Sequence, residues 1–262
     1  MRKVFITAML LMMMTLTGCG DDSYSKGAEV LRIGLDDEYA PMGFHNEKGE
    51  LVGFDIDLAK EAARRLGVKV EFVPIGWNKK EEEITSGNVD MLWNGCDITD
   101  ERRSYLIYSK PYMDNRQILV VKRGNTQNIY SIKDLEGKVV GTQAGSNSVD
   151  YVEQDEDLKN SFEAFKTYLN YKEAFEDLDK DLVDILIADE ITARYEMTRS
   201  AGKFEIIEIT VGATTEIGIA FRKDNVELRD RIQKVFDDMV KDGTARKISE
   251  QWFQADLIKL KR

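Results

Sequence analysis

The chain has 262 residues, 32% of them charged and 42% hydrophobic, and its formal net charge is −11 at pH 7. Apolar residues in that proportion exclude a disordered chain, and the length accommodates two modest lobes or one large domain. The acidic excess excludes nucleic acid as a partner, because phosphate binding needs a basic face.

Met1-Arg2-Lys3 is a basic n-region, and the run from Val4 to Leu16 is an apolar h-region too short to span a bilayer as an ordinary helix. Leu16-Thr17-Gly18-Cys19 follows and resembles the bacterial lipobox. That resemblance implies a signal peptide over residues 1–18 and a lipidated tether over 19–28, with Cys19 acylated as the first mature residue. A soluble secretory signal with an incidental cysteine is the plainer alternative; the order Leu, small residue, Gly, Cys directly behind the h-region weighs against it. Cys96 is the only other cysteine, so a lipidated Cys19 leaves no partner for a disulfide. Cys96 itself is ordinarily a small buried residue. The single histidine, His45, falls in a hairpin turn, and no Cys–His metal spacing is present. No metal and no cofactor are expected.

Val30 to Leu35 reads as the first strand, with Asp36 and Tyr39 just past its end. They are either part of a ligand site or an acidic turn beside a packed tyrosine. Asn46-Glu47-Lys48-Gly49 makes a turn between two short apolar stretches. Asp55 to Leu66 is the clearest helix: Ile56, Ala59, Ala63 and Leu66 share a face, Asp55 can cap the start, and Gly67 ends it. Val68 to Pro74 alternates as a strand. Trp77 follows in a loop, where an aromatic either stacks on a ligand or covers the core. A helix over Lys79 to Ser86 stops at Gly87.

The next stretch organises the chain. Val89 to Trp93 reads as a buried strand and Asn94-Gly95-Cys96-Asp97 as a tight polar turn. Thr99 then caps a helix with Asp100 and Glu101 in its first turn and Arg102 and Arg103 just inside. Ligands of open α/β sheets bind outside the carboxyl ends of the strands, where free backbone N–H groups meet anions. Arg102 adds a planar guanidinium that can grip a carboxylate with two parallel bonds. A lone arginine there is ordinarily a surface residue, but a second stretch shifts the balance. Val183 to Thr192 repeats the same order after another acidic helix, with Asp189 just past its strand as Asp97 is past the first. One such echo in each half suggests two similar lobes whose strand ends face each other.

Between the two, Ile118 to Lys122 is a strand able to cross from lobe to lobe. Val139 to Thr142 is another, and Gly145, Ser146 and Asn147 follow in a strand-to-helix turn that is either an anion cradle of backbone N–H groups or an ordinary N-cap turn. Asp150 to Asn160 and Tyr171 to Asp181 read as helices around the strand Phe162 to Tyr168. After the helix Ile191 to Arg199 and the strand Phe204 to Ile209, Thr210 to Glu216 reads as irregular. Ile217 to Arg222 is a strand, and Leu228 to Asp242 and Thr244 to Trp252 are the last helices. The alternation predicts an α/β fold with mostly parallel sheets.

Together IGLDDEYAPMGF, LVGFDIDLAKEAARRLG, VDMLWNGCDITDERR, YSKPY, DLEGKVVGTQAGS and the ending GIAFRKDNVELRD…DGTARKISEQWF resemble the substrate-binding proteins of bacterial polar amino-acid ABC importers, solute-binding protein family 3. The resemblance covers nearly all of the mature chain. It implies a two-lobed flytrap fold, with each lobe a central sheet flanked by helices. Residues 29–114 and 213–262 would form the first lobe and 115–212 the second, joined by hinge strands near Asn115 and Ala213. It implies that Arg102 takes a ligand α-carboxylate, helped by N–H groups around Gly145, Ser146 and Asn147, and that Asp189 takes the α-ammonium. Asn94 and Gly95 would offer polar contacts, and Asp36, Tyr39 and Trp77 would line the side-chain pocket. Asp97 and Asn147 depart from the family, which usually carries Ser or Thr at the first position and frequently Thr at the second.

The implied partners are an amino acid, the permease subunits of an ABC importer, and the membrane through the lipid, with the protein a monomer on the extracytoplasmic face. Three carboxylates, Asp36, Asp97 and Asp189, stand against one guanidinium, which leans the ligand towards a basic or polar amino acid, since burying unpaired charge is costly. Glutamine and cystine stay open. A flytrap-fold enzyme such as a dehydratase is the rival, with Asp97 or Glu190 as acid or base; no histidine or activated nucleophile joins them. A sensor is the other rival and would need a transmembrane or signalling segment, which the chain up to Lys261-Arg262 lacks.

Overall fold

The computed structural model describes residues 29–259 apart from residue 201, so the signal segment, Cys19 and the tether lie outside the described residues. The first lobe starts with β1 (Val30–Leu35) and the short strands β2 (Glu38–Tyr39), β3 (Gly43–His45) and β4 (Leu51–Val52). It continues through α1 (Phe54–Leu66), β5 (Lys69–Pro74), a single 3₁₀ turn at Trp77–Lys79, α2 (Lys80–Thr85), β6 (Met91–Leu92), α3 (Asp100–Arg103) and β7 (Leu106–Tyr108). The second lobe holds β8 (Met113–Lys122), β9 (Val139–Gln143), α4 (Asn147–Gln154), α5 (Glu156–Ser161), β10 (Ala164–Tyr168), α6 (Tyr171–Asp179), β11 (Ile185–Asp189), α7 (Glu190–Arg199) and β12 (Phe204–Ile217). The chain then returns to the first sheet with β13 (Ala220–Arg222), followed by α8 (Val226–Lys241) and α9 (Thr244–Phe253).

Each lobe is a five-stranded sheet, ordered β5-β1-β6-β13-β7 in the first and β10-β9-β11-β8-β12 in the second. Within them β5, β1 and β6 run parallel, as do β10, β9 and β11, while β13 and β8 are antiparallel to their neighbours. The parallel strands end at Leu35, Leu92, Gln143 and Asp189, and the residues just beyond those ends meet between the lobes.

Local chemistry explains the helices. On α1, Ile56, Ala59 and Ala63 are buried on one face, and Gly67 ends the helix in the left-handed conformation, its N–H returning to Ala63 and Arg64 carbonyls. On α8, Leu228, Ile232, Val235, Phe236 and Met239 follow the 3.6-residue period into the core, where the Phe236 ring lies 6.0 Å from Trp93 and 5.7 Å from Tyr112.

Three local expectations change. Asp55 does not cap α1: the cap position is Gly53, and the Asp55 side chain turns inward to the Asn94–Asp97 turn. The helix expected over Asp150 to Asn160 is two, because Asp155 breaks it and caps α5 by accepting from the Leu158 N–H. Thr210 to Glu216 is not irregular but the outer half of β12, paired with β8 through two register shifts. This stretch is an edge strand with exposed residues at Gly212, Ala213 and Thr214, so it lacks the apolar alternation that marks half-buried strands.

Candidate functional site

The residues past the strand ends enclose a small cavity lined by Asp36, Tyr39, Trp77, Asn94, Gly95, Asp97, Gln143, Ser146 and Asp189. Eight of these nine are expected from the sequence, and Gln143 is not. Among the other expected residues, Arg102, Gly145 and Asn147 stand beside the cavity without lining it.

From the first lobe, β1 delivers Asp36. Its N–H donates to Asn94 Oδ1 at 3.0 Å, and its carboxylate accepts from the Glu38 N–H at 2.9 Å and from Gln143 Nε2 of the second lobe at 2.6 Å. Burial pushes the Asp36 carboxyl up to about 6 against those two bonds. Among the described residues no cation pairs with it. Tyr39 reaches across, its hydroxyl donating to Asp189 Oδ2 at 2.9 Å. Gly95 lies at φ +59°, and a Cβ there would fall 2.7 Å from a ring carbon of Tyr39, so only glycine lets the turn and the tyrosine share this wall.

The turn rests on Asp55. That buried carboxylate accepts from the Gly95 N–H at 2.7 Å and from the Tyr112 hydroxyl at 2.8 Å. Burial raises its pKa to about 7, opposed by the bonds from Tyr112 and Gly95.

Arg102 is placed by the cap expected of Thr99, whose hydroxyl accepts from the Arg102 N–H at 3.2 Å. Its guanidinium is buried and donates to the Asp97 carbonyl and, across the cleft, to the Gly145 carbonyl, each at 3.2 Å. Lys80 joins it on Gly145 at 2.9 Å. Burial, and next the Arg102 charge, lower the Lys80 pKa to about 8. Gly145 sits at φ +75°, where a Cβ would lie 2.7 Å from Asn78 Cα, so the lobes touch backbone to backbone. Trp77 is buried in its 3₁₀ turn rather than exposed in a loop, with the Lys80 ammonium 5.5 Å from its ring.

The two aspartates of the echo do converge. Asn115 Nδ2 donates to Asp97 Oδ1 at 3.1 Å and to Asp189 Oδ1 at 2.6 Å. Gln117 donates to the same Asp189 oxygen at 2.5 Å and is itself held by the Ser148 hydroxyl at 2.6 Å. Thr215 donates to Asp97 Oδ1 at 2.6 Å. Burial first, and the Asp189 charge next, push the Asp97 carboxyl above its ordinary value.

Gln143, Asn115, Gln117 and Lys80 are the residues the sequence reading misses. Asn115 and Gln117 carry a usable signal: two positions apart on a strand, they share a face, and both are polar at the start of an otherwise apolar run. Gln143 and Lys80 carry none, since each acts through a contact with the opposite lobe.

Several buried polar atoms lack partners, among them Asn94 Nδ2 and both side-chain polar atoms of Asn147. His45 is far from this chemistry, on the β3–β4 hairpin 3.6 Å from Asp37, and burial raises the Cys96 thiol, so neither is an activated nucleophile. Among the described residues no group of three or more His, Cys, Asp or Glu is placed to hold a metal, and no helix is long and apolar enough to cross a membrane.

Residues 31–255 match the family described as bacterial extracellular solute-binding proteins, family 3. The L-cystine-binding protein TcyJ of Escherichia coli (strain K12) is 29% identical over 229 residues, 87% of this chain and 84% of that protein. Among solved structures, an ABC uptake transporter substrate-binding protein from Streptococcus pneumoniae with bound histidine superposes with a TM-score of 0.82 at 36% identity, covering 88% of this chain and 95% of that one. An ancestral arginine-binding protein bound to arginine gives 0.78 at 40% identity, covering 86% and 98%. This chain belongs to the bacterial extracellular solute-binding proteins, family 3.

Proposed function

We propose that this protein captures a free amino acid outside the cytoplasm and delivers it to the permease of an ABC importer. One observation carries the reading: a buried guanidinium, Arg102, and a pair of facing carboxylates, Asp97 and Asp189, stand around a single inter-lobe cavity. That is the charge pattern of a zwitterion turned inside out. Arg102 takes the α-carboxylate. Of its five donors only two are bonded to carbonyls, which leaves the rest of the fork for the ligand. Asn147 and the turn at Gly145 and Ser146 support the same group, and Asp189 with Asp97 takes the ammonium. The ligand side chain runs along Tyr39 and Trp77 towards Asp36. Asp36 has only a neutral amide opposite it, which favours a basic or polar side chain. The named ligands of similar proteins, cystine, histidine and arginine, fit that range.

Residues 29–114 and 213–262 form one moving body and 115–212 the other, and closing them around the ligand makes the form the permease receives. Cys19 carries a lipid that keeps the monomeric protein at the membrane surface. Its motive is the Leu-Thr-Gly-Cys order, and Cys19→Ser should shift the protein from the membrane fraction to the soluble fraction; unchanged retention would remove the anchor.

Thermal-shift screening against the common amino acids tests the main reading, since a ligand that binds only the folded state raises its melting temperature. Arg102→Lys keeps the charge and loses the fork. Calorimetry should show a loss of roughly 1.5–3 kcal/mol, on the order of tenfold to a hundredfold in affinity. Wild-type affinity in that variant would remove Arg102 from the site.

A further inference from the structure

Asp97 and Asp189 come from opposite lobes and share one amide. Because both accept from Asn115 Nδ2, their Oδ1 atoms lie within about 6 Å of each other, close enough for either charge to disfavour the other. Both side chains are buried. The groups facing the pair do not balance it. Among the described residues Arg102 on α3 is the only cation on Asp97, 3.9 Å from Oδ2, and its hydrogen bonds go to carbonyls instead. Tyr39 from β2, Tyr108 from β7, Tyr151 from α4, Tyr171 from α6 and Cys96 from the same turn are titratable groups around the pair, and burial raises all five, so they are uncharged below pH 8. Asn115 and Thr215, from the two connecting strands, are neutral donors. Two carboxylates therefore face one guanidinium in a site closed to solvent.

We propose that Asp97, crowded by Asp189, holds a proton until a ligand ammonium arrives, and that the ammonium expels it, so that binding is coupled to proton release. The inference rests on the amino-acid reading above. Before binding, the Asp97 carboxyl is protonated. The incoming R–NH₃⁺ keeps its own protons and lies between two carboxylates, and the displaced proton passes to the solvent buffer. The ammonium thus brings the positive charge that the proton had supplied. As pH falls below the range where Asp97 gives up its proton, the ligand competes with that proton and affinity drops, by up to about tenfold per pH unit.

The test is calorimetry of the full-length protein with L-arginine and L-glutamine at pH 5 and pH 8, each in two buffers of different ionisation enthalpy, which counts protons released. Wild type should release protons at pH 5 and far fewer at pH 8. Asp97→Asn and Asp97→Ser should each release about one proton fewer than wild type at pH 5, with a flatter dependence of affinity on pH. Equal release in wild type and both Asp97 variants would overturn the proposal, as would wild type releasing none at pH 5. If a variant does not fold, the wild-type counts still decide. Absence of binding heat, together with no thermal shift from any amino acid, would instead overturn the amino-acid reading itself.

Discussion

The Asp55 carboxylate supports the Gly95 turn from below, and its raised pKa of about 7 makes that support depend on pH. Its folded value lies above the unfolded one, about 3.9, so its contribution to stability is fully present below the unfolded value and is lost as pH rises through the folded one. Asp55→Asn has no such loss. The variant should be less stable than wild type at pH 4, because its amide brings two N–H donors into a buried place whose neighbours Gly95 and Tyr112 donate, where the protonated carboxyl brings one. The gap should then narrow by up to about 4 kcal/mol by pH 8. Urea unfolding of both proteins across that range measures it; a gap that widens with pH would mean that Asp55 is an ordinary stabilising carboxylate. The position was readable only as a polar residue at a helix start. What its side chain bonds to lies 40 residues away at Gly95, and no local pattern announces a contact of that reach.

Capping, by contrast, is local, which is why α3 and its arginine are legible. Thr99 and the two acidic residues after it mark the helix start, and the structure puts the Thr99 hydroxyl on the Arg102 N–H. Thr99→Ala should cost about 1 kcal/mol. Because this four-residue turn carries the guanidinium, ligand affinity should fall as well, by no more than about fivefold, and Thr99→Ser should restore it. Stability lost with affinity untouched would show that α3 does not position Arg102. The opposite case is β12. Its outer half is polar, glycine-bearing and paired on one side only, so its strand character comes from the ladder with β8 and not from its own residues. Gln143 was hidden for a related reason: its partner Asp36 is on the other lobe.

At the scale of the molecule, the α/β alternation and the two echoing strand ends are legible because each lobe repeats the same local grammar of strand, turn and helix. How the ends meet is not, since Tyr39 to Asp189 and Arg102 to Gly145 are contacts between lobes. Asp189 collects bonds from Tyr39, Asn115 and Gln117, so it is the point where the first lobe, the connecting strand and the second lobe converge. Asp189→Asn keeps the shape and removes the charge. With ligand near saturation, small-angle scattering should show a smaller contraction than in wild type, because the ligand then favours the closed form less. Wild-type binding and contraction would hand the ammonium to Asp97 or Asp36. The chain leaves the first sheet along β8 and returns along β12, and these run side by side, with Met113 opposite Ile217, Asp114 opposite Glu216 and Asn115 opposite Thr215. Lys259 pairs with both Asp114 and Glu216, and its N–H donates to the Tyr112 carbonyl at 2.8 Å. A single tie would let two bodies pivot in any direction. Two ties about 4.8 Å apart, bonded at these three rungs and clamped at one end, form a ribbon that bends across its flat face more easily than it twists. In the two-body motion proposed above, such a ribbon favours swinging about one axis, which brings Tyr39 back to Asp189 and Arg102 back to Gly145.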